Sequence, residues 1–83
     1  MRYLAHVDVT LRPGIADPEG ATIAKALPAL GFDSVHAVRV GKRFSVELDA
    51  KDLHAAESLA ASLADRLLAN TVIEEAVIHI TEA

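Results

Sequence analysis

Four histidines are the residues best suited to bind a metal ion or move a proton in this sequence. They are His6, His36, His54 and His79. Imidazole is a common ligand of zinc, but a zinc site needs three or four ligands at short, recurring spacings. None of these histidines has another metal-binding residue at such a spacing, although two of them would approach each other if their strands were neighbours. We therefore predict no metal site and interpret the four as surface or interface histidines.

Other reactive groups also lack the surroundings that catalysis requires. The chain has no cysteine, which excludes disulfides, iron–sulfur clusters, thiolate zinc sites and cysteine nucleophiles. Its serines are scattered and show no nucleophile motif, so no Ser-His-Asp set can be assembled. Gly41-Lys42 lacks the spacer, the first glycine and the Ser/Thr of a phosphate-binding loop. We predict no catalytic residue and no cofactor-binding residue in this chain.

A small basic cluster is the one charged feature that suggests binding. Arg39, Lys42 and Arg43 surround Gly41, and a glycine in first position suits a tight hairpin turn. Charges at such a tip discourage aggregation through strand edges. They can also dock onto an acidic patch of another protein, so these three residues form the predicted partner-docking site.

Composition is typical of a globular protein, and the start of the chain predicts a cytoplasmic location. The chain has 83 residues, 52% of them apolar and 24% charged, and we expect residues 1–83 to form a single domain with a small core. Asp8 interrupts the run that a signal peptide would need, and no apolar stretch is long enough for a membrane span. The net charge of −4 argues against nucleic acid as a partner.

Alternation of apolar and polar residues predicts four β-strands. In the first strand Tyr3, Ala5, Val7 and Val9 point to one face, which is the period-two pattern of a half-buried strand. The predicted strands cover residues 2–11, 34–40, 43–49 and 75–81.

Two helices are predicted near residues 18–30 and 52–69. Asp17 and Asp52 suit the N-cap positions, Pro18 suits the first helical position, and Gly31 suits the end of the first helix. Pro28 should kink the first helix or alter its last turn. The predicted core residues are Val7, Val9, Ile23, Leu27, Phe44, Val46, Leu59, Leu63, Ile78 and Ile80.

The order β-α-β-β-α-β predicts an α+β fold. The expected arrangement is a ferredoxin-like sandwich, a four-stranded antiparallel sheet with two helices on one face. The other face would be partly apolar, which suggests contact with another chain. ACT regulatory domains share this fold and a Pro-Gly turn after the first strand, here at Pro13-Gly14. An ACT-like domain that binds an amino acid at a dimer interface is therefore an alternative function.

Four segments together carry a more specific resemblance. They are VTLRPGI at 9–15 with DPEG at 17–20, AL at 26–27 with LGF at 30–32, VRVGK at 38–42, and LLANTVIE at 67–74. In this order and spacing they resemble the PurS family, the small subunit of phosphoribosylformylglycinamidine synthase, over nearly the whole chain. Thr71 stands where the family usually has proline, and Pro28 inside the first helix is a second local departure.

The resemblance implies a role in the fourth step of purine biosynthesis. There formylglycinamide ribonucleotide, glutamine and ATP give formylglycinamidine ribonucleotide, glutamate, ADP and phosphate. A glutaminase subunit releases ammonia, and a large synthetase subunit captures it with ATP and magnesium. The small subunit implied here is non-catalytic, forms a homodimer or tetramer, bridges the two larger subunits and assists ammonia transfer.

Overall fold

A central strand with a partner on each side forms the sheet. The computed structural model describes residues 1–83, and its strands are β1 (Arg2–Leu11), β2 (Gly41–Asp49) and β3 (Glu74–Glu82). The order is β2-β1-β3, with antiparallel pairing along almost the full length of β1. The predicted α+β class is confirmed, but the sheet has three strands where the sequence predicted four.

Helix α2 covers one face of this sheet through a ridge of alanines. It runs from Leu53 to Leu63 and continues through one wider turn at Ala64–Leu68. The side chain of Asp52 accepts a hydrogen bond of 2.8 Å from Ala55 N, as predicted for the N-cap. Small side chains let helix and sheet approach closely. The buried core consists of Tyr3, Ala5, Val7, Val9, Leu48, Ala56, Ala60 and Ala64.

The predicted core is correct in part. Val7 and Val9 are buried as expected. Half-buried positions are Leu27, Phe44, Val46, Leu63, Ile78 and Ile80. The prediction was wrong for Leu59, which is 51% exposed because α2 turns its alanines toward the sheet. It was also wrong for Ile23, which is 42% exposed because its helix packs against neither sheet face.

Residues 12–40 leave the sheet between β1 and β2, and we call them the arm. The arm contains helix α1 (Pro18–Ala26), a 3-10 turn at Pro28–Leu30, and an extended return segment. The altered last turn predicted from Pro28 is confirmed, and Gly31 closes it at φ 89°. The chain measures 52 × 27 × 14 Å, with a radius of gyration of 16.4 Å. A compact chain of this length would have about 12 Å, so the arm projects from the sheet.

The strand predicted at 34–40, and the hairpin after it, are wrong for the isolated chain. Residues 34–39 make no backbone hydrogen bond. Gly41 lies inside β2 opposite Thr10 and lacks the positive φ that a tight hairpin turn with glycine first would need. The backbone N–H of Val40 instead donates to the carboxylate of Asp17. This bond holds the return segment against the start of α1, so the segment does not pair with the edge of β2.

Candidate interaction site at the base of the arm

One carboxylate joins the two ends of the arm. Oδ1 of Asp17 accepts a hydrogen bond of 2.8 Å from Gly20 N, which caps α1. Oδ2 accepts one of 2.8 Å from Val40 N, at the end of the return segment. These bonds, from Val40 first and then Gly20, favour the charged form and hold the pKa of Asp17 below its ordinary value.

Gly20 brings the two parts of the arm into backbone contact. It is the only buried residue of α1. A Cβ at this position would collide with the carbonyl oxygen of Val38 and press on the carboxylate of Asp17. The sequence indicated a helix start here, but not that the helix would need glycine in order to meet the return segment.

Arg39, one of the three predicted docking residues, is bound within the base of the arm, where the return segment meets the end of β1. Its guanidinium donates to the carbonyl oxygens of Leu11 at 3.2 Å, Ile15 at 3.4 Å and Arg12 at 3.5 Å. These are long hydrogen bonds, and the residue is exposed. Arg39 therefore holds the return segment against the end of β1, and it is not displayed at a hairpin tip.

Lys42 and Arg43 are neighbours in β2 and so point to opposite faces of the sheet. Arg43 forms a two-point contact with Asp8, at 2.6 and 3.0 Å, which lowers the pKa of that carboxyl. Lys42 lies on the face that α2 covers, with Nζ 3.9 Å from Glu74 Oε2 and 5.8 Å from the Phe44 ring centroid. The structure thus does not bring the three basic residues into one patch. Docking by any of them stays a prediction, and Lys42 is the one whose side chain makes no hydrogen bond, only the ion pair with Glu74.

Arg12 has a role that sequence reasoning missed. Its Nε and Nη2 donate to the carbonyl oxygen of Thr71 at 3.1 and 3.0 Å, and its backbone N–H donates to the carbonyl of Ile73 at 2.8 Å. The first residue after β1 therefore fixes the loop before β3. The only feature of the sequence that could have indicated this contact is the position of an arginine directly after a strand. Because Thr71 contributes its carbonyl, this contact depends on the backbone there and tolerates a change of side chain.

The histidines fall into separate environments. His6 and His79 are directly opposite each other on β1 and β3, on the face that α2 leaves open. His6 Nδ1 lies 3.1 Å from Ser45 Oγ, while His36 and His54 are exposed elsewhere. No three His, Asp or Glu side chains converge in a way that could hold a metal ion. Neither helix has the length and apolar character needed to cross a membrane.

Replacing Asp17 with Asn should make the chain less sensitive to acid. The folded-state pKa of Asp17 is lowered, so its stabilisation is complete above the unfolded value of about 3.9 and is lost as pH falls through the folded value. Asparagine can still cap α1, but it offers one acceptor oxygen and no charge. At pH 7, the native chain should therefore unfold at a higher urea concentration than Asp17→Asn. The difference between the two unfolding midpoints should shrink at pH 3.

Asp33→Asn is the matched control, because Asp33 is an exposed aspartate of the arm without a hydrogen bond or ion pair. Its midpoint should follow that of the native chain at both pH values. A gap for Asp17→Asn that is the same at pH 7 and pH 3 would show that the charge of Asp17 does not contribute.

Comparison with known proteins gives a consistent result. Residues 4–82 match the family model described as PurS, phosphoribosylformylglycinamidine (FGAM) synthase. The FGAM synthase subunit PurS of Synechocystis is 42% identical over 79 residues, which are 95% of this chain and 79% of that protein.

Two solved structures match the whole fold. Thermus thermophilus PurS has a TM-score of 0.88 at 36% identity, over 100% of this chain and 99% of that one. A chain of PurLQS from Thermotoga maritima has a TM-score of 0.89 at 27% identity, over 98% and 99%. The arm is about a third of the chain, so scores this high require it to project in the same way in those structures.

These matches favour one of the two functions that the sequence left open. The family match spans both the sheet and the arm, and the Pro-Gly turn shared with ACT domains lies inside it. On this evidence the chain belongs to the PurS family of phosphoribosylformylglycinamidine synthase, a subunit family of an enzyme of purine biosynthesis.

Proposed function

We propose that this chain is the small, non-catalytic subunit of FGAM synthase and that it bridges a glutaminase subunit and an ATP-dependent synthetase subunit. The observation that supports this most is the similarity of almost the whole chain to one chain of PurLQS from Thermotoga maritima. The name PurLQS indicates a complex of three components. In this proposal ATP and magnesium are used by the synthetase subunit, and this chain binds neither.

A bridge of this kind has a physical purpose. Ammonia that escapes into solution is diluted and protonated, so its transfer between two sites depends on holding them in alignment. The charged side chains at the base of the arm and in the adjoining strands stabilise the fold: Arg12 holds the loop before β3, Asp17 joins the ends of the arm, and Arg43 of β2 pairs with Asp8 of β1. These contacts make the chain a rigid body to which two larger proteins can bind. The proposal also includes a cytoplasmic location.

Self-association is the second part of the proposal. A small domain with an extended shape gains stability when its exposed apolar surface is covered by another chain. Ten large hydrophobic residues of this chain are exposed, among them Leu30, Phe32 and Leu67. We expect a homodimer or tetramer as the form that meets the two larger subunits.

Lys42→Glu is the variant that tests docking to the larger subunits. The chain should co-elute with the glutaminase and synthetase subunits on a sizing column, and Lys42→Glu should weaken this, more strongly at low salt, because exposed charges mainly steer association. Its fold should persist, since surface changes usually shift stability by under about 0.5 kcal/mol.

Lys51→Glu makes the same charge change just beyond the far end of β2, at another exposed position, and should co-elute normally. Equal weakening by both variants would show a general effect of charge and would remove Lys42 from the docking site. Failure of the native chain to co-elute with either subunit would overturn the bridging proposal itself.

A further inference from the structure

Strand β3 forms an edge of the sheet that the rest of the chain leaves unpaired. It pairs with β1 on one side only, and the register runs without a bulge from Glu74 to Glu82. Its nine residues make it long, since strands usually have about 5–6. Natural edge strands are protected against further pairing by proline, lysine, bulges or short length. Strand β3 has none of these devices, and its stretch from 76 to 81 contains no Asp, Glu, Lys or Arg.

The ladder with β1 determines which backbone groups of this edge are free. In an antiparallel pair, residues alternate between those that bond to the partner strand and those that point away from it. Just beyond the two ends of the ladder, Arg12 N–H donates to the carbonyl of Ile73, and Ala83 N–H donates to the carbonyl of Arg2. The odd-numbered residues of β3 therefore bond to β1. The free N–H and C=O groups at the centre of the edge belong to Ala76, Ile78 and Ile80.

A groove follows this edge on the face that α2 covers, and we call it the β3 groove. Its floor contains Ile78 and Ile80, which are half-buried. Its wall is one flank of α2, whose residues recur every four positions and are Leu53, Glu57, Ala61 and Asp65. A strand added to the edge would therefore find backbone partners in β3 and apolar contacts beside it.

The rim of the β3 groove is acidic. Glu57 and Asp65 are exposed carboxylates that make no hydrogen bond or ion pair, and Glu82 at the end of β3 makes none either. The basic residue in the lining, Arg12, is already engaged with the Thr71 carbonyl and with Glu75. Unpaired carboxylates around an apolar floor complement a segment that carries lysine or arginine.

A second copy of β3 does not fit this groove. Two such edges that paired antiparallel with full overlap would be centred on Ile78 and would place Glu74 opposite Glu82 at both ends. Like charges directly opposite each other destabilise a strand pair. The net charge of −4 on each copy adds to the repulsion. The charges therefore fit a basic segment of a different protein.

We propose that the β3 groove receives an extended, basic segment of one of the two larger subunits, which adds to the sheet as a strand beside β3. The backbone of this segment bonds to that of Ala76, Ile78 and Ile80. Its lysine or arginine side chains face Glu57 and Asp65. Strand addition obtains affinity from main-chain hydrogen bonds and specificity from alternate side chains. The inference rests on the proposed function and specifies one surface through which the chain binds a larger subunit.

Amide hydrogen exchange tests strand addition directly. In the isolated chain, the amides of Ala76, Ile78 and Ile80 should exchange fast, whereas those of Val77 and His79 are bonded to β1 and should exchange slowly. In the complex with the two larger subunits, the first three should become as slow as their neighbours. A complex in which these three amides stay fast would overturn strand addition and leave the bridging function standing. Protection of the three in the isolated chain that increases with concentration would make a second copy the occupant, which also overturns the proposal.

Ala76→Pro blocks the edge without breaking the pairing with β1. Proline removes an N–H that points away from the sheet and places its ring there, and edge strands tolerate proline at such positions. On a sizing column, Ala76→Pro should lose co-elution with one of the larger subunits. Ala76→Ser, at the same exposed position, keeps the N–H and should co-elute normally. Normal co-elution of Ala76→Pro would overturn the proposal.

Glu57→Lys tests the acidic rim and leaves the backbone of β3 unchanged. Lysine at this position should repel the basic segment, so co-elution should weaken, and the loss should be greater at low salt because salt screens exposed charges. Glu47→Lys makes the same charge change on the face that α2 leaves open and should co-elute normally. Equal weakening by both variants would overturn the choice of a basic partner. Failure of the native chain to co-elute would overturn the bridging function itself, so the two proposals fail in distinguishable ways.

Discussion

Omitting this chain from reconstituted FGAM synthase is expected to abolish glutamine-dependent synthesis and to spare ammonia-dependent synthesis. In the proposed function, ammonia from glutamine travels from the glutaminase site to the synthetase site, and this chain keeps the two sites aligned. With ammonium salt at high concentration, ammonia reaches the synthetase from solution and needs no bridge. Rates of FGAM formation with each donor, with and without the chain, measure the difference. The glutamine rate should fall to background.

Two further measurements make the outcome decisive. Adding the native chain back should restore the glutamine rate, and glutamate release should be followed at the same time to separate loss of glutaminase activity from loss of transfer. Equal loss with both donors would mean that the chain shapes the synthetase active site, and the bridging proposal would then be wrong. An unchanged glutamine rate without the chain would exclude any role in transfer.

The strands were predictable where pairing partners lie within the chain. The alternation at residues 2–11 indicates that one face of this segment is buried, and these residues form β1, the central strand of the sheet. The same kind of alternation at 34–40 predicted a strand that the isolated chain does not form. Alternation indicates which side of a segment is apolar, but it does not identify a pairing partner, so a segment without a partner in the chain gives the same signal.

The rotation of α2 was not predictable for a similar reason. Ala60 and Leu59 are adjacent on the apolar stripe, and periodicity alone does not decide which of them faces the sheet. The choice depends on the small residues of β1 below, Ala5 among them, which favour close approach by alanines. Hydrophobicity favoured the leucines as core, whereas packing distance selected the alanines.

The candidate site was predictable only in its local part. Asp17 was identified as an N-cap from the Asp-Pro-Glu pattern, and its bond to Gly20 confirms this. Its second bond, to Val40, joins residues far apart in sequence, for which no local pattern exists. Grouping Lys42 with Arg43 failed because β2 begins at Gly41, and consecutive residues of a strand point to opposite faces.

Ala60→Leu should destabilise the chain strongly, because Ala60 is 1% exposed and packs in the core cluster with Tyr3, Ala5, Leu48 and Ala56. Leucine and alanine have similar helix propensities, so the effect isolates the added volume between helix and sheet. Overpacking of this kind costs about 1–3 kcal/mol. For a chain of this size, that corresponds to a fall in Tm of roughly 5–20 °C.

Ala61→Leu is the matched control, since it adds the same atoms one residue further along, at an exposed position of α2. Its effect should stay within about 0.5 kcal/mol. Both variants and the native chain should be unfolded thermally at one protein concentration, because association makes Tm depend on concentration. If Ala60→Leu and Ala61→Leu melt together, α2 does not pack through its alanine ridge. Leu59 and Leu63, which the sequence predicted as core residues, would then face the chain's own sheet.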